Sequence, residues 1–398
     1  MRKLSLLLLI LVVLKVNAQE GIKFNQTKTW QETTEAATKT GKLIFVDCYT
    51  DWCGPCKWMD QNAFKDAKVA DFYNQNFINA KIDMEKGEGV ELRKKYSVQS
   101  FPTFLFINGN GEVVHRTGSR MPIEEFLEEG KKAANPTKNL SFLNAKYEDG
   151  ARDLPFLLDY YIVLNKSDRS GAEKIAKDII NGISTQELNT ELGWKTIKSL
   201  ARSESDKLGA HFMVNQGAYN NWSKQEEREQ LKDRLTTSTL YGLMRGSNEQ
   251  AFMEKLAYFK KSDKIDRKKQ GVMLEADYYL GAGKTEEYVK LTSAALKNEL
   301  KDEAEKLSFL ARRASGGKGD SDQASPAIMQ QAYLMAKRAV EINPEEYSIQ
   351  STFASVCLAM KKKQEALVAA KKTRMLADAE TSKIQKIAQA LLDKVEEL

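Results

Sequence analysis

Trp52-Cys53-Gly54-Pro55-Cys56-Lys57 is the stretch on which the reading of this chain turns. The Cys-x-x-Cys spacing lets both sulfurs meet in the first turn of a helix, and Pro55 suits an early helical position because its missing N–H has no intrahelical acceptor there. Unsatisfied N–H groups and the macrodipole at a helix N-terminus favour negative charge, which makes Cys53 the nucleophile and turns Cys56 inward as the resolving thiol. A thiolate attacks a disulfide, and a second thiol close by resolves the mixed disulfide that forms. The other reading of such a pair is half of a zinc site. Cys48 and Cys357 are the only further cysteines and His115 and His211 the only histidines, with no second ligand pair at zinc-like spacing, so no metal is expected.

Working outward, Lys42-Leu43-Ile44-Phe45-Val46-Asp47-Cys48-Tyr49 is an apolar, β-branched run short enough for a buried strand. Residues 54–75 read as helical, with Phe64, Val69 and Phe72 as apolar anchors, and 77–83 reads as a second strand. A polar helix near 90–95 leads to Ser100-Phe101-Pro102-Thr103, and Phe104-Leu105-Phe106-Ile107 is a third strand. Asn108-Gly109-Asn110-Gly111 signals a turn, after which 112–116 returns as an antiparallel partner. Met121-Pro122 opens a last helix with Ile123, Phe126 and Leu127 on one face. The pattern is βαβ, then a hairpin, then a closing helix: an α/β fold.

Asp47 lies six residues before Cys53 among Phe45, Val46 and Tyr49. A carboxylate on a buried strand has a raised pKa, the property needed to take the proton from Cys56 when the mixed disulfide resolves. Lys81, on the next strand, is placed to pair with it. Cys48 should point to the opposite sheet face as a structural thiol, since strand side chains alternate. The Phe101-Pro102 bond precedes a strand, where either isomer is open.

Val46-Asp47, Trp52-Cys53-Gly54-Pro55-Cys56-Lys57 and Phe101-Pro102-Thr103, in this order and spacing, resemble the thioredoxin superfamily over about residues 21–134, roughly a third of the chain. The Asp51-Trp52-Cys53 lead-in and the run from Met59-Asp60 to Val69 look closest to the thioredoxin-like domains of bacterial periplasmic disulfide reductases. The resemblance implies Cys53 as attacking thiol, Cys56 as resolving thiol, Asp47 as buried acid–base group and Lys81 as its partner. It also implies that Trp52 flanks the sulfur on the substrate face beside Gly54 and Pro55. Pro102 would be cis and face the cysteines, with the Phe101 backbone pairing with an extended substrate strand. No cofactor is implied beyond the redox-active Cys53–Cys56 disulfide. Gly54-Pro55 between the cysteines resembles the reducing members, which points to reduction or exchange of disulfides in client proteins, with electrons from a membrane-embedded disulfide reductase. Two departures stand out: Cys48 replaces the family's usual aromatic or aliphatic residue, and a short insertion lies near Gly87-Glu88-Gly89.

The bulk numbers set the rest of the frame. At 398 residues the chain exceeds the size of one hydrophobic core, so two or more domains are expected. An apolar content of 42% with 29% charged residues excludes global disorder and multiple membrane spans. Arg2 and Lys3, an apolar run from Leu4 to Leu14, and Val16-Asn17-Ala18 before Gln19 read as a cleaved export signal over 1–18, which predicts a periplasmic or otherwise extracytoplasmic protein. Its apolar run is far shorter than the roughly 20 residues that cross a bilayer. Its removal lowers the formal net charge from +6 to +3, and the remaining lysines and glutamates are interleaved as on solvated helix faces, so nucleic acid is not an expected partner.

The expected organisation is a signal at 1–18, the thioredoxin-like domain at 19–136 and an α-helical domain at 137–398, the composition changing after Asn135-Pro136. Ala332, Ala336, Ala339 and Ile342 recur 34 residues later as Ala366, Ala370, Thr373 and Leu376. With Asn343-Pro344 and Phe353-Ala354, the region near 327–380 resembles a tetratricopeptide helix pair, which implies a protein- or peptide-binding role. Ala276 to Gly281 followed by Glu286-Glu287-Tyr288 is a weaker echo, 140–270 looks helical without register, and 314–321 reads as a flexible loop.

Overall fold

The computed structural model describes residues 21–25, 29–246, 248–316 and 324–398; the expected signal at 1–18 and residues 317–321 of the expected loop lie outside these. The described chain divides into two compact units, one comprising residues up to Ala151 with Val163–Arg169, the other Arg152–Ile162 with Ser170–Leu398.

The first unit runs α1 (Trp30–Thr40), β1 (Leu43–Tyr49), α2 (Gly54–Gln61), α3 (Ala67–Asn76), β2 (Phe77–Asp83), α4 (Gly89–Lys95), β3 (Thr103–Ile107), β4 (Val113–Gly118), α5 (Ile123–Ala134) and α6 (Leu140–Glu148). The sheet order is β2-β1-β3-β4, with β1 parallel to β2 and β3 antiparallel to both β1 and β4. This is a thioredoxin-like sheet. Alternation along β1 sends Phe45 to a core shared with Met59 of α2, Tyr73 of α3 and Phe126 of α5, and sends Ile44, Val46 and Cys48 to the other core with Leu92 and Tyr96. Phe45, Phe104, Phe106 and Phe126 are fully buried, each contributing about 1.5–3 kcal/mol by burial. Gly130 lets α5 approach this cluster: a Cβ there would stand 2.7 Å from the Tyr73 ring, whose hydroxyl donates to the Phe126 carbonyl at 2.9 Å.

The continuous helix expected over 54–75 is interrupted. Asp66 caps a new helix by accepting from the Lys68 and Val69 N–H groups at 3.0 and 3.1 Å, and Asn62 leaves helical geometry with φ −118° and ψ −77°. The apolar anchors Phe64 and Val69 are buried regardless, which is why periodicity alone hides the break.

The all-helical region comprises α7 (Leu154–Leu164), α8 (Arg169–Gly182), α9 (Thr185–Leu188), α10 (Glu191–Leu200), α11 (Lys207–Asn215), α12 (Gln225–Met244) and α13 (Glu249–Lys260). It continues through α14 (Ile265–Gly281), α15 (Thr285–Ala295), α16 (Ala304–Ser315), α17 (Pro326–Ile342), α18 (Tyr347–Ala359), α19 (Lys363–Leu376) and α20 (Ser382–Glu396). Ala332, Ala336 and Ala339 of α17 and Ala366, Ala370 and Thr373 of α19 are all buried. Thr373 tolerates this because its hydroxyl donates to the Ala369 carbonyl at 2.8 Å.

A second regularity ties alternate helices together. Asp233 pairs with Arg267 across 34 residues, Glu249 with Lys284 across 35, Lys269 with Glu303 across 34, and Asp277 with Arg313 across 36. Glu229–Lys264 and Asp302–Arg338 continue the series at separations of 35 and 36. Ion pairs recurring at one helix-pair length are consistent with a helical-repeat domain.

Candidate functional site

The first turn of α2 is set by Cys53 as its N-cap: φ −82° and ψ 102° keep its backbone extended, and its sulfur accepts from the Cys56 N–H at 3.1 Å. Gly54 and Pro55 occupy the next two positions, where the absent proline N–H costs nothing. The two cysteines form a disulfide and both are buried, while Pro55 is exposed. Oriented N–H groups at this end favour a thiolate on Cys53 once the disulfide is reduced.

Trp52 flanks the pair and is 37% exposed. Its indole Nε1 donates to Glu85 Oε2 at 2.8 Å, and its ring meets Phe101 edge-on with centroids 5.8 Å apart. The Phe101–Pro102 bond is cis, and Pro102 is buried. Arg93 of α4 lies 5.2 Å over the Phe101 ring and 3.5 Å from Glu85, so the aromatic rim is braced by a charged pair.

Beneath the helix, Asp47 is 1% exposed on the same sheet face as Phe45. Lys81 is its partner in the β1–β2 register, with Nζ 3.3 Å from Asp47 Oδ2. The contact is an ion pair whose angles do not make a hydrogen bond, so both carboxylate oxygens lack a hydrogen-bond donor. The Lys81 ammonium is held instead by Asp60 of α2 and lies 4.8 Å over the Tyr49 ring. Burial pushes the Asp47 carboxyl up to about 7; Lys81 pulls against the rise and Asp60 adds to it. For Lys81, burial works against the charge, but Asp47 and Asp60 outweigh it and raise its pKa. Lys81 also lines a surface cleft of about 190 Å³ together with Trp30, Asp83 and Lys86.

Every residue singled out in the sequence around the cysteines thus falls in one region of the first unit. The structure adds Asp60, Glu85 and Arg93. Asp60 carries a legible signal, since it stands four residues after Cys56 and therefore on the same helix face as the inward thiol. Glu85 and Arg93 come from a loop and a helix that no local pattern places beside Trp52. Cys48 lies on the opposite sheet face, fully buried, where burial first and the Asp47 charge second push its thiol far up and keep it protonated. Cys357 is also a buried free thiol.

The family model for a thioredoxin-like domain matches residues 30–134. Thioredoxin-1 of Drosophila yakuba is 38% identical over 78 residues, covering 20% of this chain and 68% of that protein. The thiol:disulfide interchange protein DsbD of Escherichia coli strain K12 is 31% identical over 96 residues, covering 24% of this chain but only 17% of DsbD. Among solved structures, a putative disulphide-isomerase from Bacteroides thetaiotaomicron is 49% identical, covering 29% of this chain and 96% of that one, with a TM-score of 0.28. The fold, the close cysteine pair and the similarity to thioredoxin-1 and DsbD support, in general terms, a thiol–disulfide oxidoreductase domain. The chain belongs to the thioredoxin family through this domain, to which it adds the long helical region.

Proposed function

We propose that the protein is an exported thiol–disulfide oxidoreductase that reduces or exchanges disulfides in client proteins through Cys53 and Cys56. The observation that carries this reading is the N-cap geometry of Cys53 above the buried Asp47–Lys81 pair. In the reduced protein the Cys53 thiolate attacks one sulfur of a client disulfide; an S–S bond to Cys53 forms, and the client's second sulfur leaves as a thiolate that takes a proton from water. Cys56 then passes its proton to Asp47 and its thiolate attacks the Cys53 sulfur. The client's first sulfur departs as a thiolate and is protonated, the Cys53–Cys56 disulfide re-forms, and the client has gained two electrons and two protons. Asp47 returns its proton to solvent past Lys81. The redox-active disulfide is the only prosthetic element in this scheme.

Trp52, Phe101 and Pro102 form the client-facing rim with Gly54 and Pro55, the Phe101 backbone receiving an extended client strand. Gly54-Pro55 favours the reducing direction, and a membrane disulfide reductase supplies the electrons. The leader-like residues 1–18 support export to the periplasm or an equivalent compartment, and no helix among the described residues is long and apolar enough to cross a membrane.

A Cys56→Ala chain tests this. It should accumulate mixed disulfides on Cys53 that dithiothreitol releases, and a Cys53→Ser, Cys56→Ala chain should accumulate none. An empty trap in the single variant contradicts the reading.

A second reading makes the helical region a tetratricopeptide-like scaffold that recruits one specific partner, with the redox domain as accessory. The 34–36-residue ladder of ion pairs supports it. Under that reading the doubly substituted chain still retains a defined partner without any covalent adduct.

A further inference from the structure

A cleft of about 610 Å³ opens across α12, α14, α16 and α18. Tyr241 and Phe309 line it at 47% and 42% exposure, with Met273 between their helices. The inner face of α16 is spent on the core, since Leu307, Leu310, Ala311 and Ala314 are buried. Toward the cleft α16 presents a stripe of Glu305, Phe309 and Arg312, at i, i+4 and i+7 on one helix face, beside Ser308 and Lys306, whose ammonium is taken by Glu303 at 2.5 Å.

The charges of this stripe are uncommitted. Asp277, also lining the cleft, is held by Arg313 at 2.5 Å. Among the described residues Glu305 and Arg312 make no ion pair, and the Arg312 guanidinium lies 5.9 Å from the Phe309 ring centroid. An exposed aromatic ring therefore sits between one free carboxylate and one free guanidinium. Seven residues of α-helix separate these charges by about 10 Å, which three residues of chain in the extended polyproline II conformation also span, at about 9 Å, with the two end side chains on one face.

From this match we infer that the cleft binds an extended peptide segment with an acidic and a basic residue three positions apart. The acidic side chain meets Arg312, the basic one meets Glu305, and an apolar side chain between them covers Phe309 and Met273. The segment belongs to a disulfide client, so this assignment rests on the oxidoreductase reading. Its role is to hold the client non-covalently.

The test uses the full chain and fluorescein-labelled Gly-Asp-Phe-Gly-Lys-Gly. This peptide should bind about tenfold or more tightly than Gly-Asp-Phe-Gly-Asp-Gly or Gly-Lys-Phe-Gly-Lys-Gly, each of which misplaces one charge. Arg312→Glu should reverse the order and prefer the two-lysine peptide, an exchange that mere loss of structure cannot produce. Appending Asp-Phe-Gly-Lys to a disulfide-bearing substrate should lower its KM with kcat unchanged. Equal binding of all three peptides, Arg312-dependent self-association in place of peptide binding, or a tagged substrate with unaltered KM would each overturn the proposal. Reduction of a small untagged disulfide reports on Cys53 chemistry alone, so failure of the cleft and failure of the oxidoreductase reading give different results.

Discussion

Lys81 stands opposite Asp47 in the parallel β1–β2 register, its ammonium 3.3 Å from a carboxylate that is 1% exposed. A buried acid pushed up to about 7 changes charge in the range where a general base is most effective. Only the ionised form accepts a proton, so resolution of the mixed disulfide by Cys56 should slow as pH falls through about 7. Stopped-flow measurement of client release should show this limb in the wild-type protein. Asp47→Asn should abolish the limb and slow resolution at pH 8 by roughly a hundredfold, the low end of what a positioned base contributes.

The same burial has a stability consequence of opposite sign to that of an ordinary carboxylate. Folding raises the Asp47 pKa from 3.8 to about 7, so the unfolded chain releases this proton first and stability falls as pH rises between those values. The shift corresponds to about 4 kcal/mol at pH 8, an upper figure because water penetration softens burial. Urea denaturation should find Asp47→Asn more stable than wild type at pH 8, with the difference vanishing near pH 4.

Substitutions around the pair should move the kinetic limb in opposite directions. Lys81 lowers the Asp47 pKa and Asp60 raises it. Lys81→Met should therefore shift the limb to higher pH, while Asp60→Asn, which also frees the ammonium toward Asp47, should shift it lower. Carboxyl NMR titration of Asp47 in each variant reads the same displacement directly.

A second buried charge anchors the far side of the first unit. Glu129 of α5 accepts from Lys132 at 2.8 Å and Lys166 at 3.0 Å, and meets His115 Nε2 at 3.2 Å. Leu140 N–H donates to His115 Nδ1 at 3.3 Å, which leaves Nε2 as the donor to Glu129. Burial opposes the Glu129 charge, yet His115, Lys132 and Lys166 overcome it and hold the carboxyl well below its usual range. Stability from a depressed carboxylate is present above its unfolded pKa and lost as pH falls. Lys166→Met should destabilise the protein by about 1–3 kcal/mol at pH 7, and the deficit should shrink below about pH 4. Thermal or urea unfolding across pH measures it.

Much of the first unit was legible because its strands are short apolar runs bounded by turn signals: β2 was read at its observed limits, and β1 within one residue. The cysteine geometry followed from spacing alone, since Pro55 and the Cys-x-x-Cys interval leave few arrangements. The Lys81–Asp60 contact was not legible, because it joins a strand to a helix 21 residues away and depends on both elements folding. The 34-residue recurrence of small residues is visible in the sequence only in α17 and α19. Elsewhere the ladder consists of lysines, arginines and carboxylates that read individually as solvated helix faces. The composition change at Asn135-Pro136 falls at the end of α5, whereas packing continues into α6 through Leu140 and His115.

The most direct test of the central claim is dithiothreitol-driven reduction of insulin by the purified protein and its Cys53→Ser variant. The account predicts robust turnover by the wild-type chain and loss of activity to the uncatalysed rate in the variant. Full activity in Cys53→Ser would contradict it.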